Sequence, residues 1–192
     1  SVSSKDSSLN EIKTVGVIKE HKEDDMVEVA EPVGVIAALT PVTNPTSTVI
    51  YKSLISLKTR NAIVFSPHLM SSKCVAHTAE ILHEAAVKAG APSGCIGWLK
   101  RNSKLRKQTR YLLHHKEVDL VFATGGTSMV KVAYSTGKPA IGVGSGNTPV
   151  YVHKSCDIES SVMDICLSKT FDNGTECPSE QTLVVDREIY EP

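Results

Sequence analysis

The sequence predicts an α/β protein: a doubly wound parallel sheet covered by helices on both faces, followed by the start of a second α/β domain. Three observations predict it. Apolar runs of strand length recur at residues 34–39 (GVIAAL), 62–65 (AIVF), 95–99 (CIGWL), 119–123 (DLVFA) and 139–144 (PAIGVG). Stretches suited to helices lie between them, at 46–57, 71–89, 103–115 and 128–135. The strand runs are nearly continuous rather than alternating, the pattern of strands buried on both faces of a parallel sheet.

Residues 1–12 are rich in Ser and charge and read as loose. TVGVI and MVEVA flank the polar KEHKEDD, which predicts a hairpin. From Gly34 onward strand and helix alternate. In 71–89, Val75, Ala79, Leu82, Ala86 and Ala89 recur at three- and four-residue steps, one face of a helix. A further helix is expected over 158–169, then the polar loop FDNGTECPSEQ, then the strand-like TLVVD. The doubly wound domain is thus complete by about residue 170, and the boundaries expected are 1–170 and 171–192. Residues 171–192 read as the opening of a second domain, and the chain as a fragment.

Composition narrows the function. The chain of 192 residues carries 21 basic and 21 acidic side chains, so it has no electrostatic footprint for nucleic acid or an anionic membrane. No apolar run is long enough to span a bilayer, and the first residues lack the apolar centre of a signal peptide. Five cysteines at wide, irregular spacings (74, 95, 156, 166 and 177) form no CxxC pair. A reducing, cytoplasmic compartment is the expectation.

Four groups of residues could carry chemistry. Thr124-Gly125-Gly126-Thr127-Ser128 joins a buried strand to a helix. Its glycines allow close backbone approach, and helix N-terminal amides favour phosphate. A plain turn with a Ser/Thr cap explains the same residues, and the spacing is not GxGxxG. Cys177 lies in a polar, Gly-containing loop where a thiol is accessible, whereas Cys95 and Cys166 sit in apolar runs and read as structural. Asn44 follows the carboxyl end of the first core strand, where α/β sheets place ligands, and its amide could donate to an oxyanion. A Pro-bounded turn with Thr46 or Ser47 as helix cap is the simpler reading of that segment. His68, Cys74, His77 and His83 lack a carboxylate and a recognised ligand spacing, so no metal is assigned.

Taken together, four segments occur in a telling order: PVGVIAALTPVTNPTS, SLISLKTRNAIVFSPH, ATGGTSMVKVAYSTGKPAIGVGSGNTPV and SKTFDNGTECPSEQ. They resemble the aldehyde dehydrogenase superfamily of the CoA-acylating type, and in particular the aldehyde dehydrogenase half of bifunctional aldehyde-alcohol dehydrogenases. The resemblance runs from about Glu31 to Asp186. It implies a Rossmann-like NAD domain and a separate catalytic domain. Cys177 matches the nucleophile, and Asn44 the Asn of the oxyanion hole. Ser66, Pro67 and His68 match the segment passing the adenosine ribose. Thr124, Gly125, Gly126, Thr127 and Ser128 match the turn near the pyrophosphate, and Gly144 is grouped with the cofactor residues.

The reaction so implied is oxidation of a short-chain aldehyde such as acetaldehyde, with NAD and CoA, through a Cys177 thioester. Hydrolysing aldehyde dehydrogenases carry a Glu in the segment matching 141–147. Here no carboxylate occurs between Lys138 and Asp157, so the thioester awaits CoA rather than water. Two departures stand out. Glu176-Cys177-Pro178 replaces the frequent Ile-Cys-Ala, placing a negative charge beside the thiolate and removing a backbone donor. Thr127-Ser128 stands where Pro-Gly is common. The partners implied are a small aldehyde and CoA, with a homo-oligomer in the full-length protein. The alternatives are a phosphorylating relative resembling glutamyl-phosphate reductase, and a non-catalytic nucleotide-binding or assembly module.

Overall fold

The computed structural model describes residues 11–190; of the Ser-rich opening stretch, residues 1–10 lie outside the described residues. β1 (Gly16–His21) and β2 (Met26–Ala30) form the expected antiparallel hairpin. Strands and helices then alternate as β3 (Val35–Leu39), α1 (Pro45–Lys58), β4 (Ala62–Ser66), α2 (Ser72–Lys88), β5 (Ile96–Trp98), α3 (Leu105–His114), β6 (Leu120–Thr124), α4 (Thr127–Tyr134) and β7 (Ala140–Val143). The last five strands are parallel, in the order β5-β4-β3-β6-β7. The chain winds outward from β3 in one direction, returns, and winds outward in the other. That is the doubly wound order the sequence predicts.

Two cores explain why the runs are continuous. Successive side chains of a strand point to opposite faces. Along β3, Ile36 and Ala38 join Val49, Ile63, Phe65, Val75, Ala79 and Ile96 in one core, with Leu57, Leu82 and Ala86 of α1 and α2 packed against it. Ala37 and Leu39 join Leu113, Val118, Val121, Ala123 and Ala133 in the other, under α3 and α4. Each large side chain fully buried this way contributes about 1.5–3 kcal/mol. The small residues of β3 let helices approach the sheet from both sides.

The start of β3 is fixed by two side chains from distant turns. Asn61 Oδ1 accepts from the Gly34 amide at 2.9 Å, and Asp119 Oδ2 accepts from the Val35 amide at 2.9 Å. Gly34 has φ +121°, and a Cβ there would overlap the Asp119 carboxylate.

Contacts divide the chain after Val143 into two compact units. In the second of these units the helix α5 (Ile158–Thr170) contacts a 3-10 turn (Phe171–Gly174) and β9 (Glu180–Val185). In the second unit β9 pairs parallel with β8 (Thr148–Val152), with α5 as the crossover. The sequence does not predict β8: Pro149 interrupts a short run whose side chains are half-buried or exposed. Asp157 caps α5 by accepting from the Ser160 amide at 2.7 Å. No residue of α5 is buried in this chain. Cys166 is accordingly exposed, so its reading as a structural thiol is corrected: the apolar residues around it stay half-buried or exposed. A short helix, α6 (Arg187–Tyr190), follows β9. Among the described residues no helix is long and apolar enough to cross a membrane.

Replacing Gly34 by Ala forces strained backbone and displaces Asp119 from the Val35 amide. The expected cost is about 1–3 kcal/mol, read as a lower denaturant midpoint, with Asp119→Ala showing part of the same loss.

Candidate active site

The winding direction reverses between β3 and β6, which are hydrogen-bonded neighbours. The turns leaving their carboxyl ends lead to helices on opposite faces, a topology in which ligands usually bind in a crevice between the two turns. Asn44 lies in the turn after β3, and Gly125 and Gly126 in the turn after β6.

Asn44 occupies the N-cap position of α1 but makes no side-chain cap, and Pro45 opens the helix. Its backbone carbonyl accepts from the Thr48 hydroxyl at 2.8 Å and from the Ser47 hydroxyl at 3.2 Å. These two hydroxyls therefore serve the turn, while neither Thr46 nor Ser47 is the cap. The Asn44 carboxamide is exposed, accepts from Thr43 Oγ1 at 3.3 Å, and spends no NH₂ proton on another described residue.

At the other wall, Gly126 is the N-cap of α4, again without a side-chain cap. The simpler reading of this turn, a Ser or Thr cap, is thus not what the chain builds. A helix whose first amides lack a capping side chain keeps donors for an anion. A Cβ on Gly126 would meet nothing within 4 Å, so open space borders the backbone there. Thr127 and Ser128 are exposed, while Thr124 is half-buried and the Gly125 amide donates to Val143 at 3.1 Å. These features fit a dinucleotide phosphate. Gly144 is the half-buried first residue of the second unit.

The three residues after β4 behave differently from one another. Ser66 is buried, and its hydroxyl is 2.7 Å from that of Thr109 on α3. Pro67 is buried as well. Only His68 presents an exposed side chain, with Nδ1 accepting from the Met70 amide at 3.3 Å.

Sequence reasoning missed Lys52. It lies on α1 with 1% of its surface exposed, and Nζ donates to Leu39 O at 2.9 Å and to Phe122 O at 2.8 Å. The nitrogen also sits 4.2 Å from the centre of the Phe122 ring. Burial pushes its pKa down to about 7. One signal was legible: Lys52 shares a helical face with Val49, Ser53 and Ser56, all buried.

Cys177 belongs to the second unit and is exposed. Its loop is set by left-handed backbone at Asp172, Asn173 and Gly174, with φ of 47°, 56° and 66°. The Thr175 hydroxyl donates to Asp172 O at 2.6 Å and ties the turn. Gly146 runs against this loop so closely that a Cβ on it would stand 3.2 Å from the Cys177 carbonyl oxygen. The segment beside the Cys177 backbone is thus Gly144-Ser145-Gly146-Asn147, which contains no carboxylate. Asn147 is engaged elsewhere, its Oδ1 accepting from the Thr182 hydroxyl at 2.9 Å. Glu180 accepts from the Ser168 hydroxyl, which holds its carboxyl below the usual range and makes it a poor base.

The remaining polar candidates do not converge. Cys74 and His77 line an apolar groove between α1 and α2 of about 410 Å³, and the Cys74 Sγ is 3.0 Å from Thr46 Oγ1. His83 Nε2 accepts from the Gly94 amide at 3.1 Å. Among the described residues no three His, Cys, Asp or Glu side chains gather as a metal site.

A family model described as the aldehyde dehydrogenase family matches residues 6–192. The chain belongs to the aldehyde dehydrogenase family. It is 51% identical over 183 residues to an aldehyde-alcohol dehydrogenase of Streptococcus pneumoniae, covering 95% of this chain and 20% of that protein. An acetylating aldehyde dehydrogenase structure from Geobacillus thermoglucosidasius superposes with a TM-score of 0.83 at 51% identity, over 96% of this chain and 40% of that one. A propionaldehyde dehydrogenase from Rhodopseudomonas palustris, solved with CoA and an acylated cysteine, gives a TM-score of 0.73 at 34% identity, over 84% and 36% of the two chains. The chain therefore spans about a fifth of the bifunctional relative and about two-fifths of the first of these solved structures.

Differential alkylation reads the accessibility of the thiols. In the native chain, mass spectrometry after brief iodoacetamide treatment should find Cys74, Cys166 and Cys177 modified well before Cys95, which is buried. Equal labelling of Cys95 would contradict the packing of β5.

Proposed function

We propose that this chain is the cofactor-binding part and nucleophile loop of an NAD-dependent, CoA-acylating aldehyde dehydrogenase, whose substrate is a short-chain aldehyde such as acetaldehyde. The observation that carries the proposal is Cys177 itself: an exposed thiol whose backbone carbonyl borders Gly146, in a Gly144–Asn147 segment that holds no carboxylate to activate water.

In this reading the Cys177 thiolate attacks the aldehyde carbonyl carbon. Asn44 and the Cys177 amide donate to the resulting oxyanion. The turn from Thr124 to Ser128, the Ser66–His68 segment and Gly144 would hold NAD, which would supply the hydride-accepting chemistry there. Collapse of the oxyanion expels that hydride and leaves a thioester on Cys177. A CoA thiolate then attacks the thioester carbon, acyl-CoA departs, and Cys177 returns as thiolate. CoA suits this site because its thiol ionises far more readily than water. Residues 1–170 would supply the cofactor domain and 171–192 the start of the catalytic domain. Full-length protein would act as a cytoplasmic homo-oligomer.

Support comes from the doubly wound sheet, the uncapped start of α4 and the acylating relatives. The decisive assay uses the longest natural chain containing this sequence, with acetaldehyde and NAD, with and without CoA. Turnover should require CoA. Cys177→Ser should lose at least about a thousandfold in kcat, and Asn44→Ala about a hundredfold. NADH formation without CoA would mean that a base activates water, and the acylating reading would fall. Turnover requiring inorganic phosphate instead would assign the phosphorylating branch.

A further inference from the structure

Lys52 is a buried cation that the proposed reaction does not use. Its ammonium bonds the carbonyl of Leu39, the last residue of β3, and that of Phe122 on the neighbouring β6. Both carbonyls lie close to the carboxyl ends of the strands, beside the turns that carry Asn44 and Gly125. No carboxylate pairs with it among the described residues. An uncompensated buried charge is costly, so burial favours the neutral amine and an anion bound nearby would favour the charged form.

We infer that Lys52 is a positioning residue for the dinucleotide: it ties the ends of β3 and β6 together and places positive charge beneath the crevice that receives the pyrophosphate. This rests on the proposed binding of a dinucleotide in that crevice. The lysine would act in two ways. The two carbonyl bonds fix the spacing of the crevice walls, and the charge reinforces the positive end of α4. An anion bound there favours the charged amine, so binding draws a proton from solution when the free protein holds Lys52 near its midpoint of about 7.

The neighbouring elements supply few competitors for that proton. β3, β4 and β6 carry no titratable side chain. α1 itself adds Tyr51 and Lys58; α2 turns Cys74 and His77 toward α1; His68 follows β4. α4 contributes Lys131, and α3 contributes His114 at its far end. Of these, His68 follows β4 and His77 lies on α2 facing α1, so both histidines are the controls for Lys52.

The test is calorimetric titration of the full-length protein with NADH at a pH just above 7, in two buffers of different ionisation enthalpy. Uptake of a measurable fraction of a proton is expected, persisting in His68→Asn and His77→Asn. Lys52→Met, which keeps the stem and removes the donors, should bind at least about tenfold more weakly and without uptake. Its Cys95 should stay as protected from iodoacetamide as in the unmodified protein, which a general loss of structure would not allow. Unchanged affinity and uptake in Lys52→Met overturn the inference, as does uptake abolished by either histidine variant. If Lys52→Met does not fold, the histidine variants decide: uptake retained in both supports Lys52, and uptake lost in either overturns it. An unmodified protein that binds no dinucleotide overturns the inference together with the dinucleotide-binding proposal, whereas binding without uptake overturns the inference alone.

Discussion

β3 pairs with β4 on one side and β6 on the other, and both of its faces are covered by helices. Because it is buried on all sides, every backbone group it carries must be satisfied within the sheet. Its register therefore governs both cores at once, and a slip by one residue would exchange Ile36 and Ala38 for Ala37 and Leu39 across the sheet. Asn61 and Asp119 hold that register at one end, while Lys52 holds its last carbonyl at the other. The loops that matter for chemistry are set by where this strand stops.

Much of this architecture was legible because burial writes itself into composition. A run such as Val35–Leu39 has no polar face, and only a parallel sheet between helix layers accepts five such runs in alternation with helices. The hairpin was equally plain. What escaped was polar or cooperative. β8 contains a proline and buries little, so neither alternation nor apolar length marks it. Lys52 is apolar in position and charged in chemistry; its helix face announces burial, but no local pattern says that two carbonyls from other strands will receive the ammonium. Cys166 shows the opposite error, since an apolar neighbourhood in sequence does not guarantee a packing partner in the unit.

The candidate site was legible in a different way. Cys177, Asn44 and the Gly125-Gly126 turn each had a simpler local explanation, and it was their joint order that pointed to one family. The structure adds what order cannot supply. α1 and α4 both start without side-chain caps, and the backbone at Gly126 borders open space. Ser66 is committed to Thr109, and Gly146 rather than a carboxylate borders the Cys177 backbone. The close approach of Gly146 is steric as well as chemical, because any side chain there would press on the loop that carries Cys177.

The Asp119 carboxylate that receives the Val35 amide lies 84 residues away along the chain, and the β3–β6 ladder spans the same interval. Such distant pairing carries a large loop-closure cost and tends to form late in folding. The crevice between these strands cannot exist before they meet. A ligand lodged in it has nothing to hold in the partly assembled chain and everything to hold in the finished sheet. A cofactor bound there would act on this fold as a brake on unfolding and leave the rate of folding almost untouched.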